Sequence, residues 1–413
     1  MTWGLLRLGG LVCCVATAAV AVADGTRGVT FVAARTAAMQ HAPEVLVAEG
    51  RAEVATTEVQ VAGTLQNPTL TVTTARQTAR LGTGVSVPLP LFGQRRTAIG
   101  AARADAAAAA LDVTVVRREA RWAATVAWAD LWEAQERARR LGAAARDADR
   151  VFGIAGEKFA AGSGARLDVV RTRADRARAG AEAQAAATAV AAAAARLAPW
   201  IGAELHDALA AAGAPGYHPE LPALAGLTAG LPAHPVLRRD RRQIQAAELH
   251  LRSEERLRWP LVNAQLTINQ GDPTLPGTDF IFGLSFDLPV LNLRGGAIAR
   301  ARAQRALVET TARVEELRLR AAVVDAYERT TGARARLQAL RDEVLPAMEE
   351  ARAMTEEGYR EGRVELLRVL EAQRALLDSR LAEAEALATW TRAVADLERA
   401  LGTDLASGAG RAP

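Results

Sequence analysis

The sequence predicts a mainly α-helical fold with a small β part, laid down as two tandem copies of one unit. Three observations carry this reading. Glycines and prolines recur at a near-constant offset, each copy holds a pair of short strands bounded by prolines, and a very long helical stretch follows each pair. Pro43 and Pro68 stand 192 residues before Pro235 and Pro260. Gly84-Val-Ser-Val-Pro-Leu-Pro90 is echoed 199 residues later by Gly283-Leu-Ser-Phe-Asp-Leu-Pro289. Gly162 and Gly202 match Gly362 and Gly402 at an offset of 200, with Leu197 and Leu205 matching Leu397 and Leu405. Alanine-rich helices give spurious self-similarity, so alanine matches count for nothing. Glycine and proline punctuate backbone geometry, and their matches mark a real duplication.

The first 23 residues read as a secretory signal: Arg7, an apolar run from Leu8 to Val22, and an Ala21-Val22-Ala23 exit before Asp24. Both cysteines, Cys13 and Cys14, lie inside it, so the mature chain is expected to hold no disulfide and no thiol chemistry. The units then follow as residues 24–207 and 226–405, with a linker at 208–225 and a tail at 406–413.

Each unit opens with an amphipathic helix, Ala33 to Gln66 and Pro235 to Arg258, stopped by Pro68 or Pro260. Alternating, β-branched segments predict strands at 69–75 and 261–268. Short polar turns follow, Arg76 to Gly82 and Gln270 to Asp279. Second strands run over 84–89 and 280–288. Thr97 to Lys158 then offers 62 residues without proline, roughly 93 Å of helix at 1.5 Å per residue. Ala297 to Glu357 is the matching arm, interrupted by Pro346. Helices this long fit antiparallel coils, and Leu370 and Leu377, then Leu387, Val394 and Leu401, keep a seven-residue spacing. An aromatic followed three residues on by glycine marks each far turn, Phe159 to Gly162 and Tyr359 to Gly362. Helices return from Leu167 to Leu197 and from Leu366 to Leu397.

Composition narrows the function classes. The 51 basic and 47 acidic residues alternate in sign, which suits a solvated helical surface and leaves no footprint for nucleic acid. No later stretch is apolar and long enough for a transmembrane helix, so membrane insertion would have to use strands. Four short strands cannot close a barrel, whereas three chains would supply twelve; insertion would therefore demand a homotrimer. No phosphate-binding loop, dinucleotide fingerprint, nucleophile elbow or clustered catalytic His or Cys is present, so no enzyme is expected. His41, His206, His218, His234 and His250 are scattered without ligand spacing, so neither metal nor cofactor is expected. Trp122, Trp128 and Trp132 read as packing between helical arms.

Together these residues resemble the TolC-like outer-membrane efflux channel family, almost end to end over the mature chain. The marks are Gln66-Asn67-Pro68, Pro90-Leu91-Phe92-Gly93-Gln94, and the two far turns continued by Leu167-Asp168-Val169-Val170 and Leu367-Arg368-Val369-Leu370. The resemblance implies a trimeric twelve-stranded barrel in the outer membrane, continued by an α-helical tunnel into the periplasm. It implies a passive conduit for small toxic compounds or metal cations. Its partners would be outer-membrane lipid, a periplasmic adaptor and an inner-membrane pump, of the resistance-nodulation-division type. Gly93-Gln94-Arg95-Arg96 is most similar to the heavy-metal and cation branch. The far turns would dock the adaptor through Phe159, Gly162, Tyr359 and Gly362. Asp168 and Arg368 occupy equivalent positions six residues past the turn glycines and are candidate gate residues. The family often carries an acid where this chain has Arg368, and Glu371 one turn later would keep an acidic ring. A periplasmic adaptor or a coiled-coil scaffold of an export system is the alternative, but an adaptor normally has one hairpin and a scaffold has no use for paired strands.

Overall fold

The computed structural model describes residues 26–75, 80–204, 208–215, 221–271, 277–361 and 363–405. The expected signal segment, the 406–413 tail and Gly362 lie outside these residues.

Strand β1 (Arg27–Thr30) leads into helices α1 (Phe31–His41) and α2 (Pro43–Gly63), which break at Ala42. The sequence predicts one helix here. Pro43 disfavours helical backbone at the residue before it, and Ala42 is extended (φ −61°, ψ 134°). Strands β2 (Thr69–Thr73) and β3 (Leu81–Leu89) follow, then α3 (Gln94–Ala160), 67 residues or roughly 100 Å long. Helix α4 (Arg166–Leu197) returns from the far turn. Strand β4 (Leu209–Ala212) and helix α5 (Leu224–Ala229) occupy the expected linker. The second unit repeats the order with α6 (Pro235–Arg256), β5 (Leu261–Gln270), β6 (Thr278–Asp287), α7 (Gly295–Ala339), α8 (Leu345–Arg360) and α9 (Leu366–Leu401). A π-helical turn, Leu340–Val344, joins α7 to α8. Pro346 therefore does not end the arm; the wider turn lies just ahead of it and lets the helix run on.

Strands β2, β3, β5 and β6 form one antiparallel sheet in that order. The helices that enter and leave these strands pack in the same order, α2 on α3, α3 on α6 and α6 on α7. Towards the far turns, α4 takes the place of α2 beside α3, and α9 packs between α3 and the α7–α8 arm. The protomer is thus a row of four strands continued by a row of four helices.

At mid-height the returning helices end against a short parallel pair, β1 with β4. This pair was not legible as strands, because Leu209–Ala212 reads as helical alanine. It is held by side chains from far away: Trp128 Nε1 donates to the Val29 carbonyl (2.8 Å), and the Ala211 amide donates to Gln135 Oε1 (3.1 Å). Trp128 is buried in one core with Leu131, Leu197, Ile201 and Leu209, while Leu387, Trp390, Val394 and Leu401 form the core of the second unit. Trp132 packs against both cores and joins the units. The seven-residue series Leu387, Val394 and Leu401 is buried as its spacing predicts. Charges tie the seam between units, with Arg35 and Arg121 donating to the buried Glu398 at 2.8 and 3.4 Å and Arg392 bridging Asp130 and Glu133 at 2.6 and 2.9 Å.

Candidate functional site: the sheet face and the far turns

Strands β3, β5 and β6 hold 9, 10 and 10 residues, longer than the sequence segments predict and long enough to cross a bilayer's apolar layer when tilted. Side chains alternate between faces, and the register sorts them by polarity. Leu70 pairs with Val85, Val85 with Leu266, and Leu266 with Phe282. The same face carries Val262 beside Phe286 and Ile268 beside Phe280. The opposite face carries Thr69, Thr71, Asn263, Gln265, Ser285 and Asp287, with Gln265 donating to Ser285 at 2.9 Å. Phe280, Phe282, Leu284 and Phe286 stand exposed in succession, Phe282 at 79%. Nothing in the protomer covers this apolar face, and β2 and β6 leave their outer edges unpaired. Among the described residues no helix is long and apolar enough to cross a membrane.

The motif at the sheet's lower rim has a structural role. Gly93, at φ 84°, lies in left-handed backbone where α3 begins. The buried Gln94 side chain faces the Trp259 and Pro260 carbonyls at 3.5 and 3.4 Å, and Arg95 Nε donates to the Gly63 carbonyl at 2.8 Å. These contacts fix how the helices meet the strands, and nothing in them points to a cargo.

At the far end, α3 closes with Gly162 (φ 74°), whose amide donates to the Phe159 carbonyl, while the Ser163 amide donates to that of Lys158. The second turn ends differently, with the Arg363 and Val364 amides both donating to the Gly358 carbonyl. A Cβ on Gly164 would lie 3.1 Å from Lys158 Cβ, and one on Gly358 would lie 2.8 Å from Val364 Cγ2. Lys158 and Gly164 correspond to Gly358 and Val364 at the offset of 200, so each turn keeps one glycine of the packed pair, in opposite order. This exchange was visible in the sequence only once the pair was known to touch. The two turns meet, with Lys158 Nζ 3.3 Å from Tyr359 Oη. Phe159 is exposed.

Asp168 is exposed at the start of α4 and makes no ion pair with Arg368 within the protomer; Arg368 Nη1 instead lies 3.4 Å from Glu371 Oε2, both side chains exposed. An open groove of about 580 Å³ separates the two hairpins above the turns, edged by Arg139, Asp175, Arg178, Glu349, Glu371 and Arg380.

His234 caps α6 with Nδ1, which accepts from the Val236 amide at 3.2 Å, so the proton sits on Nε2, 3.3 Å from the Arg399 carbonyl. Burial pushes this imidazole below the ordinary histidine range. The half-exposed His250 is shifted up by its hydrogen bond to Asp105 at 2.6 Å. His206 and His218 lie outside the described residues, among which no cluster of His, Cys, Asp or Glu could hold a metal ion.

The model of the outer membrane efflux protein family matches residues 35–203 and again 231–403. None of the curated proteins compared is significantly similar in sequence. The fold matches the CmeC outer membrane channel of Campylobacter jejuni (TM-score 0.77, 14% identity, 92% of this chain and 88% of that one). It also matches the outer membrane protein VceC of Vibrio cholerae (0.71, 17%, 91% and 96%) and the MtrE outer membrane channel of Neisseria gonorrhoeae (0.68, 18%, 91% and 89%). Members of the family form homotrimeric channels that work with an adaptor and an inner-membrane pump. With the duplication, the one-sided sheet and the long hairpins all accounted for, the chain belongs to the outer membrane efflux protein family and is the channel component of a tripartite efflux system.

Proposed function

We propose that three copies of this chain close edge to edge in the outer membrane, β6 of one beside β2 of the next, and that their helices extend into the periplasm as the tunnel. The observation that carries this is the uncovered apolar sheet face, which only lipid can solvate over its whole width. The helix row supports the same closure. Val47, Val54 and Val61 stand exposed at seven-residue spacing on α2, and Leu307, Val314, Leu317 and Val324 stand exposed on α7. These are the two outer helices of the row, and each seam supplies what the other lacks.

The conduit is passive and catalyses no reaction of its own. Energy comes from an inner-membrane pump, of the resistance-nodulation-division type, through an adaptor that grips Phe159, Gly162, Tyr359 and Gly362 at the far turns. Asp168, Arg368 and Glu371 ring the narrow end and set which charges pass. The cargo is a small toxic compound or a metal cation. An epitope inserted after Gly271 tests the orientation. It is expected to label intact cells, and cells lacking the chain are expected to become sensitive to such compounds. Labelling only after the outer membrane is ruptured would reject the reading.

A further inference from the structure

The join between strands and helices holds an apolar cluster that the channel wall itself does not need. Leu91 and Phe92 follow β3, Trp259 precedes β5, and Val290, Leu291 and Leu293 follow β6; all six are exposed, Leu291 fully. Such side chains in water-facing loops are costly unless something apolar covers them. Their backbone is held in place. Trp259 stacks on Phe92 with ring centroids 5.5 Å apart, and Gln94 pins the carbonyls of Trp259 and Pro260 from beneath. Trp259 is the one fully exposed tryptophan among the described residues. Immediately outside the cluster, on the helix side, stand exposed Arg96 and Arg258, with no ion pair among the described residues.

The order along the molecule is therefore apolar strand face, aromatic and aliphatic loops, then free cations. That is the order of acyl chain, glycerol region and phosphate across one leaflet. Resting on the barrel reading, we propose that this belt is a phospholipid-binding surface. Trp259 and Phe92 seat at the carbonyl level of the leaflet nearer the helices, and Arg96 and Arg258 hold lipid phosphate. The cluster is continuous with the lipid-facing strands and its cations complement a phosphodiester, which selects lipid over a second copy of the chain as the occupant. It would fix the depth of the barrel, since a shift of the protein either way strands the ring in water or drags the arginines into the apolar layer.

Tryptophan emission tests this directly, because Trp122, Trp128, Trp132, Trp200 and Trp390 are half-buried or buried in the helical part. The trimer is reconstituted in phosphatidylcholine vesicles whose acyl chains carry bromine either near the carbonyl or near the terminal methyl. Emission is expected to be quenched by the shallow bromines, more weakly by the deep ones, and not at all in Trp259→Leu. Adding brominated phosphatidylglycerol is expected to raise quenching several-fold in the parent, and not in the Arg96→Gln, Arg258→Gln double variant. A dye on Phe282→Cys reports insertion separately. Dye quenched with Trp259 unquenched overturns the belt and leaves the channel; burial of Trp259 from both lipid and aqueous iodide would assign it to a neighbouring copy and also overturns the belt. If neither probe is quenched, the barrel reading fails and the belt with it.

Discussion

Gly202 and Gly402 show how closely the two units repeat each other at single residues. Each ends a returning helix in left-handed backbone, at φ 65° and 66°. Each also faces a histidine at the head of the unit: a Cβ on Gly202 would lie 2.8 Å from His41 Cβ, and one on Gly402 would lie 2.4 Å from His234 Cδ2 and 2.6 Å from Pro235 Cδ. The matched glycines and His-Pro pairs were legible in the sequence, but their contact was not, because each pair lies over 160 residues apart along the chain. Gly402→Ala is expected to destabilise the protein by about 2 kcal/mol or more, from the left-handed backbone and the clash together, read as an earlier thermal transition of the helical signal. His234 adds a pH dependence. Its folded pKa is depressed, so the unfolded chain binds the proton more readily, and its contribution is present above the ordinary histidine pKa and is lost as pH falls below it. His250 has the opposite sign but is over half exposed, so its effect is small. Melting of the parent between pH 7.5 and 5 is therefore expected to fall more steeply than that of His234→Gln, which keeps a neutral donor.

The long arms, the returning helices and the central strand pairs were readable because proline, β-branching and seven-residue spacing act locally. Strands β1 and β4 were not, since tertiary contacts from Trp128 and Gln135 hold them. The strand ends extended beyond their predicted bounds because pairing in the sheet overrides weak local propensity at Gly82 and Asn269. Among the elements, the far turns bear most on transport. Arg368 shares its turn of α9 with Glu371, so its guanidinium offsets an acidic ring that threefold symmetry would otherwise concentrate. Arg368→Asp is expected to remove that offset and place like charges together. In planar bilayers it should raise conductance and cation preference over the parent, and adding Asp168→Arg should return both towards it. Unchanged values in the single variant would place the gate elsewhere.

At the scale of the molecule, the two rows explain why one protomer is incomplete. Strands and helices follow the same order, so the open edges fall on the same two sides at every height. One side ends in β2 and α2, the other in β6 and α7. The duplication made the fourfold row legible in the sequence. Which elements form its edges was not, because a repeat pattern says nothing of which copy lies outside. Closing the row buries the exposed seams of α2 and α7 and pairs the strand edges, and both follow from one threefold rotation. Since the only cysteines, Cys13 and Cys14, fall within the expected signal, paired substitutions report this contact without background. Placed at matching distances below the sheet, Val54 and Leu307 are the residues to join. Oxidation of Val54→Cys, Leu307→Cys protein in native membranes is expected to give covalent dimers and trimers on denaturing gels, while either single variant gives none. Trimers that survive in detergent yet yield only monomers from the double variant after oxidation would contradict the edge-to-edge channel.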